Sequence, residues 1–219
     1  MPRTITITSE AYRFDELTAD AKEKARDWYR EGQFEDGFEF DCSVDDFMTV
    51  ADILGINFKT HEVKLVSGKT RSAPNIWYSV SSCQGDGACF EGTYGYKVTA
   101  PAMIREHAPE DAELHRIADM LTIEQIRWGF GLIASIEKTS HHYAHENTVT
   151  IDVTDQRDDD RDVSDADKAI GELLRDLMRW FHNQLVAEVD YRSSDECVDE
   201  SIEVNEYMFD EEGGRHAYA

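Results

Sequence analysis

Trp77-Tyr78-Ser79-Val80-Ser81-Ser82-Cys83-Gln84-Gly85-Asp86-Gly87-Ala88-Cys89-Phe90-Glu91-Gly92 is the stretch whose reading decides the fold. An aromatic and β-branched run enters a Gln84-Gly85-Asp86-Gly87 turn, and a second apolar run leaves it, so two antiparallel strands are expected. Gly85 and Gly87 accept positive φ at low cost, and Asp86 can hydrogen-bond the amides of its own turn. The same pattern extends outward. Residues 58–66, 75–82 and 88–96 read as three strands, the first two joined at Ser67-Gly68, and 130–138 with 148–153 reads as a further hairpin. Residues 3–8 alternate Thr and Ile like a half-buried strand.

Helical spacing flanks these strands. Leu17, Ala21, Ala25 and Trp28 recur every three or four residues behind Thr18, a suitable N-cap. Phe47, Val50, Ala51 and Leu54 form a second stripe closed by Gly55. Leu114, Ile117, Ala118 and Leu121 mark a third helix. Leu173, Leu174, Leu177, Phe181 and Leu185 follow Ser164 in a long fourth, and Val198 and Ile202 lie in a last helix starting near Ser194. Hairpins kept apart from helices predict an α+β fold, an antiparallel sheet built from hairpins and covered by several helices. With four prolines, no Gly/Ser-rich linker and no internal repeat, the whole of 1–219 is expected to be one domain, its one weak break near 155–162.

Charge narrows the function. The chain carries 46 Asp and Glu against 22 Lys and Arg, a formal −24, yet 41% of it is hydrophobic and 11% aromatic, so it folds rather than remaining an acidic tail. Residues 31–58 hold eight acids and no base, 155–167 seven acids against two bases, and 195–212 nine acids and no base. These patches carry −22 of the −24. Direct binding to nucleic acid or to an anionic membrane is disfavoured, because both depend on Lys and Arg. No apolar run approaches the ~20 residues of a membrane helix. Four scattered cysteines and the absence of a signal peptide predict a reduced, cytoplasmic protein.

Three readings of the acids are open: a solvated surface, a face that imitates a nucleic-acid backbone or docks on a basic groove, and a calcium site. The last fails, since Asp158, Asp160 and Asp162 match an EF-hand start, but Val163 stands where Gly is needed and Ala169 where the bidentate Glu is needed. For docking on a protein with a basic groove, the candidate contacts are Asp155, Asp158, Asp159, Asp160 and Asp162, with Glu196, Glu200 and Glu203 as a helical row. The 155–167 stretch is preferred, because Asp158, Asp159 and Asp160 have no apolar neighbour to tie them to packing. No catalytic residue and no cofactor is assigned. Cys83 or Cys89 as a nucleophile lacks a neighbouring base, and His141, His145 and Glu146 in a hairpin loop lack the helical geometry of a zinc pair, so no bound metal is expected. Gln84, Gly85, Asp86 and Gly87 are read as a structural turn.

Tyr12-Arg13-Phe14-Asp15-Glu16-Leu17, Ala21-Lys22-Glu23-Lys24-Ala25-Arg26, Asp45-Asp46-Phe47, Ile53-Leu54-Gly55, Ile104-Arg105-Glu106-His107-Ala108-Pro109, Asn205-Glu206-Tyr207 and above all the 82–92 turn resemble a group of phage and prophage proteins. In that group the turn looks like Ser-Gln-Gly-Asp-Gly-Ala-Cys-Phe-Glu-Gly, with Cys83 here in place of the usual Ser. Its members are often labelled antitoxins of a toxin–antitoxin stability system. The resemblance implies a mobile-element origin and a role in host–phage conflict. Joined to the charge, it gives the expectation of a non-enzymatic inhibitor of the anti-CRISPR kind, occupying a basic nucleic-acid groove of a host defence complex. An antitoxin covering a toxin is the alternative, and a thiol enzyme using Cys89 is the third.

Overall fold

The computed structural model describes residues 10–36, 40–80, 85–139, 142–158 and 160–216. The expected strand at 3–8 lies outside them, as do Cys83, Gln84, His141 and Asp159. In chain order the elements are β1 Tyr12–Arg13, α1 Ala19–Asp36, α2 Asp41–Leu54, β2 Ile56–Phe58, β3 Thr60–Lys64, β4 Thr70–Pro74, β5 Ile76–Ser79 and β6 Gly87–Phe90. Then come β7 Gly92–Gly95, α3 Ala100–His107, α4 Ala112–Arg127, β8 Leu132–Lys138, β9 Val149–Asp155, α5 Ser164–Arg192, α6 Asp195–Val204 and β10 Met208–Phe209. The fold is α+β with antiparallel strands. It divides into two compact units, Phe40–Val186 and a second made of Met1–Glu39 with Ala187–Ala219. Both boundaries lie away from 155–162, which joins β9 to α5 inside the larger unit.

In the larger unit, a four-stranded antiparallel sheet runs β2-β7-β8-β9. Alternation along β9 buries Val149, Ile151, Val153 and Asp155 and exposes Thr150, Asp152 and Thr154, so one face is core. Phe47 of α2 stacks on Phe181 of α5 with ring centroids 4.1 Å apart, and Phe90 meets Phe47 and Phe58 at 5.8 and 5.3 Å. Gln125 of α4 is buried and brackets Leu132: its amide donates to the Leu132 carbonyl at 2.8 Å, and its carbonyl accepts from the Leu132 amide at 3.3 Å. That pairing satisfies a polar side chain that would otherwise be costly in the core. Gly55 ends α2 in the left-handed conformation, φ +91°, as its position predicts.

Two of the expected strands, 58–66 and 88–96, are divided at Lys59 and Glu91, and the expected 75–82 strand begins at Asn75 beside them. Strand β4 at Thr70–Pro74 is an additional one, and one junction accounts for all of this. Lys59, Asn75 and Glu91 close a ring of main-chain hydrogen bonds: Lys59 N donates to Glu91 O at 2.9 Å, Asn75 N to Lys59 O at 2.7 Å, and Glu91 N to Asn75 O at 3.0 Å. Three ladders leave this junction, β2 with β7, β3 with β4, and β5 with β6. Side chains brace it. Asn75 Nδ2 donates to Glu91 Oε2 at 2.7 Å, and the other carboxylate oxygen accepts the Lys138 amide at 3.0 Å. Among the described residues the β3–β4 ribbon has no third strand, and Leu65 and Val66 at its tip are exposed. Helix α3 was not expected from spacing; Pro101 in its first turn is the start signal, since proline is tolerated there.

The smaller unit packs Phe14, Leu17, Ala21, Ala25, Val198, Ile202 and Phe209 together, with Trp28, Tyr29 and Tyr207 against them. β1 pairs β10. Arg26 of α1 grips Asp199 of α6 through two hydrogen bonds of 2.6 and 2.7 Å, a bidentate pair that fixes the two helices' register. Ser194 caps α6 by accepting from the Cys197 amide. Thr18 precedes α1 and accepts from the Ala21 amide, both as expected.

The 85–87 segment ends in a close approach. Ser79 Oγ donates to Asp86 Oδ1 at 2.7 Å, and Gly85 adopts φ +102°. At Gly87 a Cβ would collide with the backbone and Cβ of His145. Gly87→Val therefore destabilises the fold by the ~1–3 kcal/mol of an overpacked site and lowers the midpoint of thermal unfolding. Circular dichroism melting of the purified variant checks it, and an unchanged midpoint would refute the close packing.

Candidate acidic docking site

The residues expected to make partner contacts separate into two classes. Asp155 occupies the last core-facing position of β9 and is only 1% exposed. Arg157 donates to its Oδ1 from the main chain at 3.1 Å and from Nε at 3.0 Å, and to its Oδ2 from Nη2 at 2.8 Å. Arg161 Nη1 adds a bond to Oδ2 at 2.8 Å. The hydrogen bonds from Arg157, seconded by Arg161, hold the carboxyl well below the usual aspartate range. Asp155 is thus a buried structural anion rather than a free contact, a correction to the sequence reading. Its position on the period of Val149, Ile151 and Val153 carried that information.

The two arginines extend the lock. Arg157 Nη1 donates to the Gly129 carbonyl at 2.6 Å and its Nη2 to the Trp128 carbonyl at 2.5 Å, while the Arg161 guanidinium sits 4.7 Å from the Trp128 ring centroid. A carbonyl-rich helix end and a buried carboxylate are satisfied by the same cation. Gly131 leaves the space this needs, since a Cβ there would strike Asp155 and Arg157. Asp162 accepts from the Ser164 amide and hydroxyl at the start of α5, and these bonds lower its pKa. Asp158 accepts from the Asp160 amide at 3.3 Å. Most of the 155–162 acids that are described are therefore used by the loop itself, although Asp158, Asp160 and Asp162 remain exposed.

Helix α6 arranges its acids differently. Val198 and Ile202 are fully buried, and Glu196, Glu200 and Glu203 are exposed. The sequence reading ranked this segment lower because acids and apolar residues alternate in it. Helical geometry resolves the conflict by placing them on different faces. Among the described residues, Glu196, Glu200 and Glu203 make no ion pair, whereas Asp195 and Asp199 are held by Arg30 and Arg26. Beside the row lies a groove of about 500 Å³ with Phe14, Ile202, Tyr207 and Met208 among its lining and Asp15, Glu203 and Glu206 along it. Arg13 is the base among its described lining residues. A lining that mixes acidic and apolar side chains suits the long stem and charged head of Lys or Arg.

Magnitudes separate docking from strict nucleic-acid imitation. Glu196 to Glu203 spans roughly 10 Å of helix at 1.5 Å per residue, or about one charge per 5 Å. One strand of duplex DNA carries roughly one per 3.4 Å. The α6 row is sparser than a phosphate strand.

Of the remaining candidates, Cys83 and His141 lie outside the described residues. Cys89 is buried and accepts from Thr148 Oγ1 at 3.7 Å, and burial pushes its thiol up, opposite to what a thiolate nucleophile requires. Cys42 and Cys197 are also free thiols. His145 caps the short turn Glu146–Thr148 by accepting from the Asn147 amide. His182 meets the Ser79 carbonyl, not the Ser79 hydroxyl. Among the described residues no group of three His, Cys, Asp or Glu side chains could hold a metal ion. No helix among them is long and apolar enough to cross a membrane.

The Asp155 lock gives a pH-dependent prediction. A carboxyl whose folded pKa is depressed stabilises the fold fully above its unfolded value, about 3.9, and this is lost as pH falls through the folded one. Asp155→Asn should lower the thermal midpoint by several degrees at neutral pH. The gap from wild type should stay constant down to about pH 5 and shrink below about pH 4. Melting curves across that range check it; a gap that widened in acid would contradict the depressed pKa.

Comparison with known proteins adds a family without an activity. No curated protein and no solved structure matches the chain. Residues 40–195, most of its length, match the model of a domain of unknown function, DUF8835, and the chain belongs to that family.

Proposed function

We propose that this chain is a non-enzymatic acidic protein that docks through α6 and its neighbouring groove on a basic surface of a partner protein. The observation that carries this reading is the row Glu196, Glu200 and Glu203, exposed and, among the described residues, without ion pairs, beside a groove lined by both acidic and apolar side chains. In a chain where Arg26, Arg30, Arg116 and Arg179 neutralise so many other acids, carboxylates left unpaired in a row cost self-repulsion that a cationic partner relieves. Charge of this kind speeds encounter and selects the partner more than it adds affinity.

The resemblance of the 82–92 turn and its companions to phage and prophage proteins supports a partner in the bacterial host. The preferred partner is a host defence complex whose basic nucleic-acid groove is blocked in the anti-CRISPR manner. An antitoxin acting on a toxin's basic surface would use the same face. Host-cell cytoplasm is the corresponding compartment.

Capture from host lysate at low salt, followed by identification of the bound protein, separates these partners. Glu196→Gln/Glu200→Gln/Glu203→Gln should reduce capture about tenfold or more and flatten its salt dependence. Asp158→Asn/Asp160→Asn should leave capture nearly unchanged. The reverse pattern would return the contact to the 155–162 loop, and salt-independent capture by both variants would refute charge-driven docking.

A further inference from the structure

One segment of this acidic chain is basic. From Lys59 to Arg71 there are four bases and a single acid, Glu62, in a molecule of −24. These residues form most of the β3–β4 ribbon, and between Thr60 and Ser72 every residue except Val63 is exposed. Lys59 at its base pairs with Glu137, whereas among the described residues Lys64, Lys69 and Arg71 make no ion pair. Register sorts the side chains. Val63 lies opposite Arg71, and the Leu65 amide bonds the Lys69 carbonyl, so Val63, Leu65, Lys69 and Arg71 share one face. Glu62 and Lys64 stand on the other, which leaves cations on both sides of the tip.

The tip holds side chains that its turn does not require. The Gly68 amide donates to the Leu65 carbonyl, and Gly68 has φ +80°, which closes a turn with Val66 and Ser67 at its centre. Gly, Pro, Asn, Asp and Ser suit such positions, each for a local reason. Val66 does not, yet it is fully exposed, beside Leu65 at 42%. Lysines on a free ribbon discourage stray edge pairing, whereas an aliphatic tip invites association. Edge protection thus accounts for the cations and leaves Leu65 and Val66 unexplained. Along the ribbon the order is aliphatic end, then Lys64 and Lys69, then Arg71. A lipid interface is layered in the same order, hydrocarbon beneath anionic headgroups.

Length decides between anionic partners. Five residues of β3 at about 3.4 Å each put the tip about 17 Å from the junction at Lys59. Physiological salt screens charge over about 8 Å, half that length. A flat anionic surface met end-on therefore feels the ribbon's cations while the acids behind the junction stay screened. A nucleic-acid groove admits a ribbon along its length, which brings those acids against the phosphates. Three cations, each contributing about fivefold in partition at an anionic surface, together give about a hundredfold. Joined to an aliphatic tip, they make two signals for one reversible association.

We infer that the β3–β4 ribbon docks the chain reversibly on an anionic lipid surface, with Leu65 and Val66 entering among the acyl chains and Lys64, Lys69 and Arg71 meeting headgroup phosphates. Docking of this kind needs no spanning helix. It is independent of the proposed role of α6.

Co-sedimentation of the full chain with vesicles tests it, using phosphatidylcholine alone and an equal mixture with phosphatidylglycerol. Wild type should sediment with the mixed vesicles and not with the neutral ones. Its partition should be greatest near physiological salt. At about 0.01 M the screening length of about 30 Å exceeds the ribbon, so the acids behind it are repelled by the surface. At about 1 M it falls to about 3 Å, and the attraction of the cations is lost. Lys64→Gln/Lys69→Gln/Arg71→Gln should lower the partition about a hundredfold. Leu65→Ser/Val66→Ser should lower it about tenfold or more, and both variants should keep the wild-type far-ultraviolet spectrum. Glu196→Gln/Glu200→Gln/Glu203→Gln should bind the vesicles at least as well as wild type. A wild type that left the mixed vesicles unbound would overturn the inference. So would equal binding to neutral vesicles, or binding retained in both folded ribbon variants. Capture of duplex DNA by wild type, lost in the cation variant and without vesicle binding, would assign the ribbon to nucleic acid instead.

Discussion

The larger unit depends on a closed ring of three main-chain hydrogen bonds between Lys59, Asn75 and Glu91. Each residue gives its amide to one neighbour and its carbonyl to the other, so three chain segments meet with their polar groups satisfied and then diverge. Only β2 and β7 join β8 and β9 in the four-stranded sheet, while β3 with β4 and β5 with β6 form separate two-stranded ladders. Glu91 carries a second duty: its carboxylate binds Asn75 and the Lys138 amide, linking the junction to β8. The site is small, but it determines which strands belong to the sheet.

Much of the architecture was legible in the order of residues, and the exceptions share a reason. Helix starts at Thr18 and Ser194, the Gly55 stop and the β8–β9 hairpin follow from capping, turn chemistry and alternation, all of which are local. Ser164, read as the cap of α5, is instead its first residue and donates to Asp162. The junction was not legible because its signal is the interruption of a pattern. Asn75 and Glu91 each follow an apolar pair, Lys59 stands among polar residues, and only their meeting explains them. The same holds for Asp155, whose place among acids suggested solvent while its period with Val149, Ile151 and Val153 indicated the core. Composition described the loop and periodicity described the residue; burial followed periodicity. In α6 the acids and the apolar residues were both visible, and their separation onto two faces needed the helix to be drawn.

Charge in this molecule is sorted rather than spread. Arginines are spent where acids must be quiet, at Asp199 under Arg26, at Asp176 between Arg116 and Arg179, and at Asp155 between Arg157 and Arg161. Exposed pairs of this kind contribute little each, but their placement decides which carboxylates remain to act on a neighbour. On α4 itself each carboxylate is paired, whereas along α6 three described carboxylates are not.

The β3–β4 ribbon follows from the junction at its base. Both of its ends are tied by Lys59 and Asn75, and its tip, from Leu65 to Lys69, closes through its own bonds: the Leu65 amide donates to the Lys69 carbonyl, and the Gly68 amide to the Leu65 carbonyl. Lys64, Lys69 and Arg71 stand on it exposed, beside a single acid, Glu62. Lengthening it at Ser67-Gly68 disturbs no core residue, and each doubling of a loop costs only about 0.6 kcal/mol of closure entropy. Relatives are therefore free to grow, shorten or recharge this arm while keeping the same core, which makes it the position where descendants of one scaffold can diverge most cheaply in what they touch.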